Sequence, residues 1–231
     1  MSPRVALVDY GAGNLASVRK ALTACGAEVF TPSAPPALRG ATAIVVPGVG
    51  HFGATSSLGD TWRSEILARL ACGVPLLGIC LGMQWLFEGS EEEPACPGLA
   101  LLQGRCSLLR PESDSQEDAA PAASRPARHG AAERREAGGG GIKVPHVGWN
   151  DLEVVRPSVL LAGIVAGDQA YFTHSYAAPV TADCVAATTY GVRFASAIER
   201  GRVFGTQFHP EKSGDVGLTI LGNFIRAVSQ R

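Results

Sequence analysis

The stretch Val74-Pro75-Leu76-Leu77-Gly78-Ile79-Cys80-Leu81-Gly82-Met83-Gln84-Trp85-Leu86-Phe87 changes character at one residue. Before Cys80, Val74 to Ile79 carries no polar side chain, the pattern of a strand covered on both faces. After it, Leu81 to Phe87 reads as the start of a helix. Gly78 and Gly82 stand two residues to either side of the cysteine, giving the form G-x-nucleophile-x-G between strand and helix. A residue at such an elbow occupies a strained, sharply turned backbone, and its side chain stands clear of the sheet. The flanking glycines remove Cβ atoms that would clash in so tight a turn. A helix that begins at the sulfur favours thiolate over thiol, and a thiolate is a strong nucleophile at neutral pH.

The same alternation extends outward. Val5 to Tyr10 is a near-continuous apolar run that ends in the turn Gly11-Ala12-Gly13-Asn14. Leu15, Val18, Leu22 and Cys25 then recur at helical spacing, and Gly26 closes that helix. Glu28 to Phe30 and Ala43 to Val46 read as strands, the second stopped by Pro47-Gly48-Val49-Gly50. Trp62, Ile66, Leu67 and Leu70 mark a helix ended by Gly73. Such β-α succession predicts an α/β fold with a mostly parallel central sheet flanked by helices. The C-terminal half adds an antiparallel strand region. Leu99 to Leu109, Asp151 to Val155, Ala170 to His174, Val185 to Tyr190, Phe194 to Glu199 and Val203 to Phe208 look extended, with a hairpin turn at Arg200-Gly201. The last helix carries Val216, Ile220, Phe224 and Val228 on one face, with Ser213 or Asp215 as its cap.

Composition sets the limits. The chain has 231 residues, 46% of them hydrophobic and 18% charged, which is enough to bury a core without disulfides or metals. It reads as one domain over 1–231. Pro111 to Gly141 breaks the pattern, because it holds no Val, Ile, Leu, Met, Phe, Tyr or Trp. Such a segment cannot offset the entropy of ordering it, which predicts a disordered surface insertion at 111–141. The net charge of −1 argues against a nucleic-acid partner. No run approaches the ~18 apolar residues of a membrane span. Val5 to Tyr10, interrupted by Asp9, is too short for a signal peptide, so the chain is expected to be cytosolic. The six cysteines form no C-x-x-C pair, and His51, His129, His146, His174 and His209 show no ligand spacing. Gly11-Ala12-Gly13-Asn14 lacks the third glycine of a dinucleotide loop. No metal and no cofactor are expected.

A cysteine nucleophile needs a base. His209 lies in Gln207-Phe208-His209-Pro210-Glu211, directly after an apolar strand, where sites on parallel sheets assemble. Glu211, two residues on, can accept a hydrogen bond from the second imidazole nitrogen and hold the tautomer. Acyl transfer also needs donors for an oxyanion, and Pro47-Gly48-Val49-Gly50 ends a strand with backbone N–H groups to offer.

Together, Gly78 to Gln84 (GICLGMQ), Pro47 to Gly53 (PGVGHFG) and Gly205 to Ser213 (GTQFHPEKS) resemble the class I glutamine amidotransferases, which use a Cys-His-Glu triad. Asp9 to Ser17 (DYGAGNLAS), Lys143 to Asn150 (KVPHVGWN) and Tyr171 to Tyr176 (YFTHSY) narrow the likeness to the glutaminase subunit of imidazole glycerol phosphate synthase, in histidine biosynthesis. The resemblance implies that Cys80 attacks glutamine, His209 moves the protons and Glu211 orients His209. It implies an oxyanion hole from the Val49 and Leu81 N–H groups. It assigns Gly48, Gly50, Gln84, Glu92, His174, Ser175 and Tyr176 to the glutamine pocket. It also implies a heterodimer with a cyclase subunit, a TIM barrel that receives the ammonia, with Asn14, Trp149, Tyr171 and Lys212 at the interface. In the family the glutaminase site is nearly silent until the partner binds its own substrate, with the Val49 strand as the suspected switch. Two other readings stay open at this stage: the glutaminase of another synthase, such as that of pyridoxal phosphate synthesis, and a non-catalytic binding module on the same fold. KVPHVGWN weighs against the first, and the intact Cys80, His209 and Glu211 against the second.

Overall fold

The computed structural model describes residues 2–110 and 142–229, and the predicted insertion at 111–141 lies outside the described residues. In chain order the elements are β1 (Arg4–Leu7), α1 (Leu15–Ala24), β2 (Glu28–Phe30), β3 (Ala43–Val46), α2 (Asp60–Ala71), β4 (Leu76–Ile79), α3 (Leu81–Trp85), β5 (Gly89–Ser90) and β6 (Arg105–Leu108). Then follow β7 (His146–Asp151), β8 (Glu153–Val154), β9 (Gln169–His174), β10 (Tyr176–Ala177), β11 (Cys184–Tyr190), β12 (Val192–Arg200), β13 (Val203–Thr206) and α4 (Gly214–Ser229).

The main sheet has the order β2-β1-β3-β4-β13-β12-β11-β8. Its first five strands pair in parallel and its last three antiparallel, as the sequence pattern predicts. Alternate side chains of the parallel strands face opposite layers. Val5, Leu7, Val45, Leu77 and Ile79 join one buried cluster with Leu22 of α1 and Ile220 and Phe224 of α4. Ala6, Val8, Ile44, Val46 and Leu76 join the other, with Ile66 of α2 and Trp85 of α3. Both faces are covered, so these strands contain no polar alternation. The order of the central strands positions the site. β4 lies between β3 and β13, with Val46 opposite Gly78 and Thr206 opposite Ile79. Three chain segments far apart in sequence therefore leave the same sheet edge side by side.

Several expectations need correction. Leu99 to Leu109 is extended only at β6. Residues 99–104 instead fold over the end of α3, where the Leu99 N–H donates to the Trp85 carbonyl at 2.6 Å and the Leu101 N–H to that of Leu86 at 2.9 Å. Leu99 and Leu102 are apolar because they cover α3, not because they alternate in a sheet. The elbow helix runs only from Leu81 to Trp85, so its dipole is far smaller than a long helix would offer. Ser213 does not cap α4 with its side chain, and Asp215 lies inside the first turn. The Ser213 hydroxyl donates to the His209 carbonyl at 2.7 Å and accepts the Tyr171 N–H at 3.0 Å. Lys143 to Asn150 yields a strand the periodicity did not suggest. β7 pairs antiparallel with β9, Trp149 opposite Tyr171 and His146 opposite His174. Among the described residues no helix is long and apolar enough to cross a membrane.

Candidate active site

Cys80 follows β4 directly and has φ 51°, in the left-handed region that non-glycine residues seldom occupy. Its N–H donates to the Thr206 carbonyl of β13 at 2.7 Å, which ties the elbow to the neighbouring strand. The glycines around it have no room for a side chain. A Cβ on Gly82 would lie 1.8 Å from the Val46 carbonyl oxygen, and one on Gly78 2.6 Å from the Gly82 oxygen. The turn is therefore clamped between β3 and its own helix, and the sequence form G-x-C-x-G has a steric cause.

His209 is the third residue beyond the end of β13, and its N–H is held by the Tyr171 carbonyl of β9 at 2.9 Å. The imidazole Nδ1 lies 2.8 Å from Glu211 Oε1, with the two side chains only 2% and 1% exposed. A carboxylate can only accept, so Nδ1 carries the proton of this bond. Nε2 is buried without a protein hydrogen bond. Burial alone would lower the affinity of this imidazole for a proton, but Cys80 and Glu211 outweigh it and raise its pKa. A thiol, an imidazole and a carboxylate thus stand in a row, an order that can serve nucleophile, proton carrier and orienting group.

The Cys80 sulfur borders a cavity of about 280 Å³ lined by Gly50, Leu81, Gln84, Glu92, Pro145, Thr173, His174, Ser175 and Tyr176. Of the residues assigned to the pocket from sequence, Gly50, Gln84, Glu92, His174, Ser175 and Tyr176 line it. Gly48 does not. A Cβ there would meet the Tyr10 hydroxyl at 2.2 Å and the Leu81 Cβ at 2.7 Å, so its role is close packing behind the elbow. Pro145 and Thr173 are added by the structure. Both flank residues named from sequence, and neither carries a charge that would have marked it.

The lining polar groups are largely held in place. Glu92 accepts the Phe52 N–H at 2.7 Å through Oε2. Gln84 donates from Nε2 to the Tyr176 carbonyl at 2.8 Å and to Gln207 Oε1 at 3.1 Å. His174 Nδ1 lies 2.9 Å from the Tyr176 carbonyl, so that nitrogen is the donor. Its Nε2 then accepts from His146 Nδ1 at 3.2 Å. Burial, aided by their mutual repulsion, holds the His174 pKa down to about 3, and burial holds that of His146 down to about 4. Both rings are neutral, and His174 presents a ring edge to the cavity because both its nitrogens are engaged.

No hydrogen bond among the described residues occupies the N–H of Val49 or Leu81. Val49 itself lies outside the cavity wall. Preceding it, the Pro47 carbonyl accepts a 2.8 Å hydrogen bond from the Tyr10 hydroxyl. Burial and the nearby Cys80 push the Tyr10 pKa well up, so this donor keeps its proton. Gly50 has φ 103° and open space about it. The 47–50 segment is thus anchored at one end and unhindered at the other.

On the surface, Trp149 is 54% exposed and meets Tyr171 edge-on with ring centres 6.2 Å apart. Lys212 Nζ lies 5.7 Å from the centre of the Tyr171 ring. Asn14 makes no hydrogen bond or ring contact with these three, and its side chain caps α1 by accepting the Ser17 N–H. A larger hollow of about 610 Å³ near Asp60, Arg63 and Cys96 lacks the catalytic groups, and Arg63 there is spent on the Pro97 and Gly98 carbonyls. Among the described residues no cluster of three or more His, Cys, Asp or Glu is arranged to hold a metal ion.

Known proteins are similar to this chain in sequence or in fold. The family model of class-I glutamine amidotransferases matches residues 6–228. The imidazole glycerol phosphate synthase subunit HisH of Methanothermobacter thermautotrophicus is 39% identical over 97% of this chain and 98% of its own. The subunit of the same name from Deinococcus radiodurans is 41% identical over 99% and 95%. Among solved structures, PurLQS from Thermotoga maritima shares the fold, with TM-score 0.67 at 18% identity over 98% of this chain and 99% of that one. The chain therefore belongs to the class-I glutamine amidotransferases and, within them, to the glutaminase subunits of imidazole glycerol phosphate synthase.

Proposed function

We propose that Cys80 cleaves the side-chain amide of glutamine and that the ammonia passes directly to a cyclase subunit bound at the Trp149 face. The Cys80 thiolate attacks the amide carbon, and the oxyanion is met by the N–H groups of Leu81 and Val49. His209 gives its Nε2 proton to the departing nitrogen as the C–N bond breaks, leaving a γ-glutamyl thioester. The same nitrogen then takes a proton from water as water attacks. The C–S bond breaks, and glutamate leaves with the thiolate restored. Glu211 holds the ring through both steps and stabilises the imidazolium. Gly50, Gln84, Glu92, Ser175 and Tyr176 hold the substrate, with His174 as an apolar wall.

Ammonia in neutral water is mostly ammonium, which is no nucleophile, so transfer without release favours the acceptor reaction. The acceptor site lies on the cyclase, a TIM barrel in the family. There ammonia yields imidazole glycerol phosphate and an aminoimidazole carboxamide ribotide in histidine biosynthesis. The exposed Trp149, its neighbour Tyr171 and the cation of Lys212 suit a partner face. The heterodimer works in the cytosol, where its thiols stay reduced. The observation that carries the reading is the buried 2.8 Å His209–Glu211 bond beside a cysteine held at positive φ on the adjacent strand.

The test is synthesis by the reconstituted pair, fed glutamine or ammonia. Cys80→Ala is expected to abolish the glutamine-dependent reaction and leave the ammonia-dependent one intact. Equal loss of both would overturn the division of labour, and retained glutamine use would overturn the nucleophile.

A further inference from the structure

Gln207 is wholly buried, although a glutamine amide has four hydrogen-bonding sites to satisfy. It follows β13, its own N–H fixed by the Ser196 carbonyl at 2.8 Å. Its side chain joins a short chain of amides whose direction is forced. The Tyr176 carbonyl can only accept, so the group facing it on Gln84 is the NH2. That NH2 also meets Gln207 at 3.1 Å, so Gln207 presents its oxygen there. The NH2 of Gln207 is consequently the end turned toward Cys80, with Nε2 lying 3.6 Å from Sγ. This orientation follows from a backbone carbonyl and not from a choice of flip.

We propose that Gln207 is a positioning residue for the nucleophile, holding an N–H on the Cys80 sulfur so that the sulfur is steadied when it carries negative charge. Sulfur bears that charge before attack and again when the thioester is released. A hydrogen bond to a charged acceptor is about twice as strong as one to a neutral acceptor, so the contact favours the charged states. It also supplies what the five-residue α3 cannot, since a helix of that length offers little dipole. The cavity wall takes part, because Gln84 both lines the cavity and sets the orientation of Gln207. Loss of Gln84 would then disturb the sulfur as well as the pocket.

The inference rests on Cys80 being the nucleophile, and the experiment separates the two. The full-length chain is alkylated with iodoacetamide across pH, and each cysteine is followed by peptide mass spectrometry. Exposed Cys72 serves as the internal reference. Gln207→Met keeps volume and removes the donor. Gln207→Glu places acceptor oxygens against the sulfur. The midpoint of Cys80 alkylation is expected to move up by on the order of one pH unit in Gln207→Met, and further in Gln207→Glu, while Cys72 does not move. Glutamine turnover in the complex with the cyclase should fall about tenfold with KM unchanged, since this contact is absent from the bound substrate. An unmoved Cys80 midpoint in either folded variant would overturn the proposal and leave Gln207 as packing. If instead Cys80→Ser kept glutamine turnover, the nucleophile assignment itself would fail, whatever the Gln207 variants did.

Discussion

Gly82→Ala tests whether the elbow is clamped as tightly as the geometry requires. The added Cβ would sit 1.8 Å from the Val46 oxygen, 2.7 Å from the Val46 carbon and 3.3 Å from the Pro47 oxygen. An ordinary carbon–oxygen contact is about 3.3 Å, so roughly 1.5 Å of separation must be found. Every atom involved is backbone, and no side chain can swing away. The end of β3 and the start of α3 must therefore part, carrying with them Cys80 on one side and Val49 on the other. Overpacking of this kind costs about 1–3 kcal/mol, and a reacting group misplaced by about 1 Å loses on the order of a hundredfold in rate. Two companions calibrate the result. Gly78→Ala meets backbone at 2.6 Å and should lose less activity than Gly82→Ala. Gly73→Ala has open space but φ 81°, so it should cost about 1–2 kcal/mol of stability and no turnover. The assays are glutamate formation by the chain with its cyclase, and thermal melting. Gly82→Ala with more than half the native turnover and an unchanged Tm would refute the steric account of the elbow.

Glu211→Gln keeps the shape of the His209 partner but removes its charge. Turnover should fall by about a hundredfold or more, and the midpoint of the acid limb of the pH–rate profile should shift; an unchanged profile would show that the carboxylate only fills space. Trp149→Ala should weaken cyclase binding by about tenfold or more, read by titration calorimetry, and leave ammonia-free alkylation of Cys80 unaffected. Acid should destabilise the fold through His146 and His174. Both are held neutral below the ordinary imidazole value of about 6.5, so below that pH the unfolded state binds more protons. Stability is full above 6.5 and falls by about 1.4 kcal/mol per pH unit for each ring until its folded value is reached. His209 adds nothing to this limb, because its raised pKa leaves it protonated in both states there. Thermal melts between pH 7 and 5 check this, and His146→Phe should remove about half the slope.

What was legible in the sequence depended on how many demands each residue met. β3 was read to its ends, because a strand buried on both faces permits nothing but apolar side chains. The elbow was legible because sterics allow only glycine at 78 and 82. Gln207 stood in a quoted motif but carried no signal of its own, since an amide in a strand end says nothing about which neighbour it faces. Gly48 looked like part of the pocket because it neighbours Val49 and Gly50, but its tight approach to Tyr10 and Leu81 depends on how β3 meets α3. The α2 pattern was right for the helix and wrong for its depth. Ile66 is buried, but Leu67 is 39% exposed. A periodic apolar residue states a preference, and only the packed layer decides whether it is met.

The two-stranded sheet β7–β9 explains how a surface residue and a buried histidine come to share one fate. Tyr171 lies beside Trp149 at the exposed end of that sheet. Its carbonyl accepts the His209 N–H, and its N–H donates to the Ser213 hydroxyl, which donates to the His209 carbonyl. Both backbone polar groups of Tyr171 are therefore committed to the turn that carries the base. His146, on the same β7 as Trp149, reaches His174 on the cavity wall through a second set of bonds. A displacement of β7 or β9 cannot leave His209 and the pocket where they stand without breaking one of these bonds. Each is buried or half-buried, and a buried donor or acceptor left unpaired costs about 1–3 kcal/mol. The cheaper response to such a displacement is for the sheet, the His209 turn and the cavity wall to move as one unit.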